Sequence, residues 1–201
     1  MRFSLIDILK NLRDRLIDKL YQWLLLAEQR SIATQNQAWI SHLKACGNDL
    51  KVRGLVQLSG AKYIEIGQNV HIGDSAFIRG ECGLVIGDNT HISRNLVLYT
   101  VNHRYKGDRL PYDDTVIKKP VEIGRNVWIG MNVCITPGSK IGDGAIIGMG
   151  SVISGEVPPL SIVGNQKIRI LGYRNLQHYE ALEIAKAFGG VNGRVLENNQ
   201  S

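Results

Sequence analysis

An aliphatic residue returns every six positions through the middle of this chain, and that spacing rules out most folds. The series runs Ile66, Ile72, Ile78, then Ile86, Ile92, Leu98, then Ile123, Ile129, Ile135, and last Ile141, Ile147, Ile153. An amphipathic helix repeats about every 3.6 residues and a strand every two or so, and neither matches. Short strands joined by tight turns do, each sending one aliphatic side chain inward. Three such strands close a triangular coil, so the chain is expected above itself roughly every eighteen residues, with stacked aliphatics forming a dry column. Gly follows many of these aliphatics, as in Ile66-Gly67, Ile86-Gly87 and Ile129-Gly130. Small or Gly residues are expected at the corners, where the backbone turns with φ > 0 as needed.

The register breaks twice. Ile78 to Ile86 is a step of eight, which predicts a two-residue bulge in Gly80-Glu81-Cys82-Gly83, and Leu98 to Ile123 is a step of twenty-five, which predicts an extruded loop over 102–119. Val52, Leu58 and Ile64 keep the six-residue step two positions out of phase, predicting an irregular first coil. The domain plan is therefore a helical extension over 1–50, a solenoid over 51–170, and a C-terminal helix and tail over 171–201.

Residues 4–28 have helical spacing at Leu5, Leu9, Leu12, Leu16, Leu20 and Leu24, widened by Ile8, Ile17 and Trp23. Two readings stay open for that stripe. One packs it on the solenoid or at a subunit contact. The other lays it on a membrane surface, favoured by Arg2, Lys10, Arg13, Arg15 and Lys19 and opposed by Asp7, Asp14 and Asp18. A second short helix is expected over 31–46. A helix over Tyr173 to Phe188 would cap the last coil, before a polar tail from Gly189 to Ser201.

The formal net charge of +6 permits anionic partners, but no clustered basic stripe or reading motif argues for nucleic acid. Cys46, Cys82 and Cys134 have neither paired nor metal-type spacing, which predicts free thiols. The longest apolar run, Trp23 to Ala27, is too short to cross a bilayer, and the start lacks a small-residue cleavage site. A cytoplasmic protein is expected.

Chemistry is expected at the extruded loop, which opens Tyr99-Thr100-Val101-Asn102-His103-Arg104-Tyr105. A half-sheltered His103 at the edge of a coil would suit a general base. Counting from Leu98 it takes the last place of its hexapeptide, as Trp128 does after Ile123. His71 and His91 take that place in successive coils and should stack, with Trp128 one coil further on. Such a pair raises zinc as a candidate, but a third ligand is missing, so exposed ladder residues are the plainer expectation and no metal is expected. No Gly-x-Ser-x-Gly elbow occurs, and no cysteine neighbours a motif histidine.

The Ile-Gly-x-x-x-x units resemble the hexapeptide-repeat proteins, which implies a left-handed parallel β-helix. His103, then Val127-Trp128-Ile129-Gly130, then Ile135-Thr136-Pro137-Gly138 and Ile141-Gly142-x-Gly-x-x-Ile147-Gly148 resemble the maltose/galactoside and polysaccharide O-acetyltransferase branch, over roughly residues 60–168. The resemblance implies an acetyl-CoA-dependent O-acetyltransferase in which His103 deprotonates a sugar or surface-polysaccharide hydroxyl that attacks the thioester directly. It implies a homotrimer with active sites between subunits. It implies that Trp128 lines the site near cofactor and acceptor, that Met131, Met149 and Ser154 meet the cofactor, and that Lys167 meets a CoA phosphate. Arg79 stands where simple-sugar enzymes carry an acceptor-binding Asn, and with Glu81 and Asn102 it completes the acceptor set. The family's closing Gly-Asn-Pro-Ala-Lys is replaced by Gly164-Asn165-Gln166-Lys167, which alters that end of the cofactor groove. Asn102-His103-Arg104 also resembles the streptogramin acetyltransferases, so a xenobiotic acceptor is the alternative. A metal-dependent hydratase and an inactive scaffold are the remaining ones.

Overall fold

The computed structural model describes residues 5–106, 108–164 and 172–188, with side chains from residue 12 onward. It divides into two units, Met1–Asn165 and Gln166–Ser201.

The first unit is a three-sided parallel β-solenoid. Face one stacks Ala45–Cys46, Ile64–Ile66, Leu84–Ile86, Val121–Ile123, Lys140–Ile141 and Glu156–Val157. Face two stacks Lys51–Val52, His71–Ile72, His91–Ile92, Trp128–Ile129, Ile146–Ile147 and Ile162–Val163. Face three stacks Gln57–Ser59, Phe77–Arg79, Val97–Tyr99, Cys134–Ile135 and Val152–Ile153. Each periodic aliphatic meets its counterpart one coil on, as in Ile72↔Ile92 and Ile92↔Ile129. All twelve are buried. Thr90, buried among them, is satisfied by donating to the Gly124 carbonyl (2.8 Å) and accepting from Val127 N–H.

Coil length departs from the expected eighteen. Val52 pairs with Ile72 and Ile72 with Ile92, each twenty residues on, whereas Ile123 pairs with Ile141 at eighteen and Ile141 with Val157 at sixteen. The strands of the first coil stay in register with the second, and its irregularity is confined to one corner. The extra residues of the first three coils all fall at one corner, between faces three and one. Ser59 to Ile64 holds a 3₁₀ turn (Ala61–Tyr63), Arg79 to Leu84 holds the expected bulge, and Tyr99 to Val121 holds the large insertion. The corner is stitched coil to coil. Gly80 N–H donates to the Ser59 carbonyl (3.0 Å) and Thr100 N–H to the Arg79 carbonyl (2.8 Å). Thr100 Oγ1, buried, donates to the same carbonyl and accepts from Cys82 N–H.

The glycines of the Ile-Gly pairs have a different reason from the expected one. A Cβ on Gly87 would lie 2.6 Å from the Gly124 carbonyl carbon, and one on Gly130 would lie 2.7 Å from Met149 N. Close approach of the next coil excludes a side chain there. The left-handed positions are held by other glycines, such as Gly144 and Gly150, and by the asparagines Asn69, Asn89, Asn95, Asn126 and Asn132, whose short amides tolerate αL. Two pairs of them hydrogen-bond between coils, Asn69 to Asn89 (3.0 Å) and Asn95 to Asn132 (2.8 Å).

One helix, α1 (Leu5–Ile40), replaces the two expected segments. No Gly or Pro interrupts residues 1–46, so nothing breaks it. Its last turns close the open end of the first coil. Asn36 Nδ2 donates to the Gly54 carbonyl (2.7 Å), Asn36 Oδ1 accepts from Val56 N–H (3.1 Å), and Trp39 joins the buried core. We expect Asn36→Leu to cost about 1–3 kcal/mol, because a buried Val56 N–H loses its acceptor; a lowered urea midpoint would show it. Leu12, Leu16, Leu20, Trp23, Leu24 and Leu26 are exposed. At helical spacing they occupy roughly the opposite side of α1 from Asn36 and Trp39.

The second unit contains α2 (Leu176–Ile184), shorter than expected, whose N-cap Asn175 accepts from His178 N–H (2.8 Å). Lys167, most of the altered cofactor segment and the polar tail lie outside the described residues. Cys46, Cys82 and Cys134 are free thiols. Among the described residues no helix is long and apolar enough to cross a membrane.

Candidate active site

The large insertion is an antiparallel hairpin, Val101–His103 against Val116–Lys118, in the register Asn102↔Ile117 and His103↔Val116. It leaves from the end of face three, so the hexapeptide count does not carry on to His103, which belongs to the hairpin rather than to the ladder of Trp128. His103 is exposed, not half-sheltered. Its ring stacks on Tyr112 with centroids 3.9 Å apart and planes 17° apart. Asn102 Oδ1 accepts from His103 N–H (2.9 Å). Towards the tip, Asp113 accepts from Thr115 Oγ1 (2.5 Å), Thr115 N–H and Asp108 N–H (2.9 Å each). The Thr115 hydroxyl and then the Asp108 and Thr115 amides bring the Asp113 carboxyl down to about 2.

Beside the root of the hairpin, the stitched corner holds Arg79 and Glu81. Arg79 Nη2 donates to Glu81 Oε1 (3.0 Å), as does Arg79 Nε (3.1 Å), and Ser59 Oγ donates to the same oxygen (2.8 Å). Glu81 Oε2 is buried without a hydrogen-bond partner. Burial pushes this carboxyl up, but a backbone N–H, the Ser59 hydroxyl and Arg79 outweigh it, leaving Glu81 below the usual carboxylate range. Ser59, Phe77, Arg79 and Glu81 line a groove of about 380 Å³. Tyr99 lies one coil on, with the Arg79 guanidinium 5.9 Å from its ring centre. A second groove, about 260 Å³, runs along Tyr99, Val101, Asn102, Cys134 and Thr136.

The expected residues thus fall into separate groups. Arg79 and Glu81 lie at the corner between faces three and one, and Asn102 and His103 lie on the hairpin that departs from the next coil's turn at that corner. Trp128 stands exposed on face two, in register with His91, which is in register with His71, as expected. Met131 and Met149 follow Trp128–Ile129 and Ile146–Ile147 on adjacent coils, where Gly150 N–H donates to the Met131 carbonyl (2.8 Å). Ser154 is exposed just after the last strand of face three. Ser59, Phe77, Tyr99 and Tyr112 were not anticipated as site residues. Tyr112 had no local signal, since only hairpin pairing brings it to His103. Among the described residues no three His, Cys, Asp or Glu side chains cluster as a metal site.

The parallel solenoid and its six-residue aliphatic step are of the hexapeptide-repeat kind. The family described as bacterial transferase hexapeptide (six repeats) matches residues 120–155, and the hexapeptide repeat of succinyl-transferase matches residues 63–100. A hexapeptide-repeat acetyltransferase from Vibrio cholerae O1 biovar eltor, crystallised with acetyl coenzyme A, is 28% identical with a TM-score of 0.61, covering 70% of this chain and 76% of its own. A maltose O-acetyltransferase from Clostridium difficile 630 is 26% identical with a TM-score of 0.60, covering 71% of this chain and 83% of its own. The fold is shared too by AntD, a Bacillus cereus N-acyltransferase, at 18% identity and a TM-score of 0.54, over 77% of this chain and 96% of its own. No curated protein sequence matches. The two hexapeptide-repeat models and the acetyltransferase structures at 26–28% identity support an acetyltransferase of hexapeptide-repeat type.

Proposed function

We propose that this protein transfers the acetyl group of acetyl-CoA to a hydroxyl of a sugar or bacterial surface glycan, with His103 as general base. The observation that carries this reading is the His103 ring, stacked on Tyr112 in a hairpin whose Asn102 lines a groove with Tyr99, Cys134 and Thr136. The free imidazole nitrogen takes the hydroxyl proton. The resulting alkoxide bonds to the thioester carbonyl carbon, the carbon–sulfur bond breaks, and the imidazolium returns its proton to the departing thiolate. No acyl-enzyme is needed. Glu81 Oε2, buried with an unused lone pair, suits a second hydroxyl of the acceptor, while Asn102 and Arg79 offer further polar contacts.

Trp128 belongs to face two, not to face three, from which His103 departs. A homotrimer resolves this by setting face two of one subunit against the hairpin of the next. In that arrangement Trp128 stands near both cofactor and acceptor, and Met131, Met149 and Ser154 line the pantetheine groove. A monomer in light scattering at micromolar concentration would overturn the two-subunit site. The exposed apolar side of α1, with Arg15 and Lys19 at its margin, suits a subunit contact or a peripheral contact with the inner membrane face.

The test is thiol release from acetyl-CoA against a panel of sugars, nucleotide sugars and hydroxylated drugs. Acceptor-dependent release with a saccharide supports the reading, release with streptogramins or chloramphenicol moves it to a xenobiotic acceptor, and no binding of acetyl-CoA overturns it. The Tyr112 stack adds a finer expectation. An aromatic pair contributes about 0.5–1.5 kcal/mol, so Tyr112→Ala should lower kcat by up to about tenfold, and Tyr112→Phe should restore it.

A further inference from the structure

Face two carries a second constellation, on its N-terminal coils. Lys51, His71 and His91 are outward neighbours on three adjacent strands, and Arg53 and Ser93 flank them. Together with Trp128 they line a groove of about 260 Å³ that has no acidic side chain in its wall. Neither Lys51 nor Arg53 forms an ion pair among the described residues. The nearby Asp74 is engaged elsewhere, accepting from Leu55 N–H (3.1 Å) and facing Arg94 (3.9 Å). The His71 and His91 rings lie parallel, 4.1 Å between centroids and 7° between planes. His71 Nε2 is buried and has no hydrogen-bond partner.

We infer that this groove is an anion subsite that takes the phosphoryl end of a phosphorylated saccharide, with the sugar ring directed toward Trp128. The inference deepens the proposed function and rests on it for the saccharide nature of the acceptor. Two permanent cations and a buried imidazole nitrogen without a partner leave both charge and hydrogen-bonding capacity unmatched, and phosphoryl oxygens supply both. Strands in a sheet are spaced by about 4.8 Å, so Lys51 to His91 spans roughly 10 Å, a better match to a diphosphate than to a single carboxylate. Trp128 continues the same ladder one strand on, with an exposed aromatic surface on which a sugar ring can lie.

The titration of His71 agrees with this geometry. Burial first, then His91, Lys51 and Arg53 hold its pKa below the ordinary value, so the ring is neutral at neutral pH. The groups facing it are Lys51 and Arg53 from one neighbouring strand and His91 and Ser93 from the other. A phosphoryl group against the ring raises that pKa. Binding to the ring then takes up a proton at His71.

The experiment is a titration of the full chain with inorganic pyrophosphate, followed through the five histidine ring signals by NMR. His71 and His91 should shift together on one saturable curve while His42 and His178 stay still. Lys51→Ala should weaken the apparent Kd about tenfold, the value of one charge-assisted contact. His103→Ala should leave the titration unchanged, so failure of the catalytic reading and failure of this one are distinguishable. A uridine diphosphate sugar and a prenyl diphosphate sugar, compared as further probes, separate a soluble from a lipid-linked source; binding of either with the same His71 shift supports the subsite. No saturable shift up to about 10 mM, equal movement of all five histidines, or an unchanged Kd in Lys51→Ala overturns it. Displacement of pyrophosphate by free coenzyme A at that groove would assign it to the cofactor and overturn it as well.

Discussion

His103→Ala should lower acetyl transfer by about 10²–10⁴-fold, the usual contribution of a positioned general base, while leaving folding nearly intact. The two halves of this expectation come from different features of the hairpin. The ring is exposed and touches the rest of the chain by stacking on Tyr112, so its removal uncovers no core. The hairpin register at this position is held by main-chain pairing of His103 with Val116, which alanine keeps. Circular dichroism and the melting midpoint should therefore match those of the parent chain. The loss should fall on kcat, because the proton is moved in the transition state and the resting imidazole adds little to acceptor affinity. Turnover within a few-fold of the parent would remove His103 from the mechanism and leave the hairpin as an acceptor-holding arm. A collapse of both turnover and melting midpoint would instead show that the side chain is structural.

Much of this molecule is legible in its sequence because a solenoid repeats one local decision. The aliphatic step of six specifies the inward position of every strand, and the observed pairs Ile72↔Ile92 and Ile129↔Ile147 are those the spacing implies. The stacked His71 and His91 follow from the same count. The count fails where the physics is not periodic. Two extra residues in each early coil looked like a phase error near Val52 and Leu58, whereas they sit at one corner and leave the strands in register. The glycines could be read from sequence only as turn residues; that Gly87 gives way to the Gly124 backbone needs the neighbouring coil in place. The apolar spacing of α1 suggested two helices because the leucine stripe over 5–24 lies on the side opposite Asn36 and Trp39. The absence of Gly and Pro was the better guide to its continuity.

The candidate site was legible in its residue types and not in its grouping. His103, Arg79 and Glu81 could each be picked out, yet Glu81's clasp by Ser59 and Arg79 joins residues from adjacent coils. The pairing of His103 with Tyr112 lies inside a loop whose ends the step of twenty-five placed but whose internal fold it did not. Conversely, His103 and Trp128 share a hexapeptide position in the count but not a face in the structure, because the chain leaves the solenoid before the count reaches His103.

Ile129→Ala should be among the most damaging single substitutions in the chain, at about 2–5 kcal/mol. Ile129 is fully buried on face two, between Ile92 and Ile147 in the aliphatic column. Deleting its outer methyl groups removes their burial and leaves a cavity that strands pinned on both sides cannot close. Repeat architecture makes this worse, since each coil is supported only by its neighbours and a weak central interface uncouples the two ends. For a chain of this size about 1 kcal/mol shifts the melting midpoint by roughly 2–4 °C, so a fall of about 5–20 °C is expected. Ile162→Ala is the matched control, because Ile162 lies on the same face with 78% of its surface exposed and should change stability by less than about 0.5 kcal/mol. The neighbouring Trp128 adds a functional readout, since loosening its strand should weaken acetyl-CoA binding below the melting transition. Equal, mild effects of the two isoleucine variants would mean that the column at Ile129 relaxes freely, and the solenoid's stability would then have to come from its backbone ladders rather than from the periodic aliphatics.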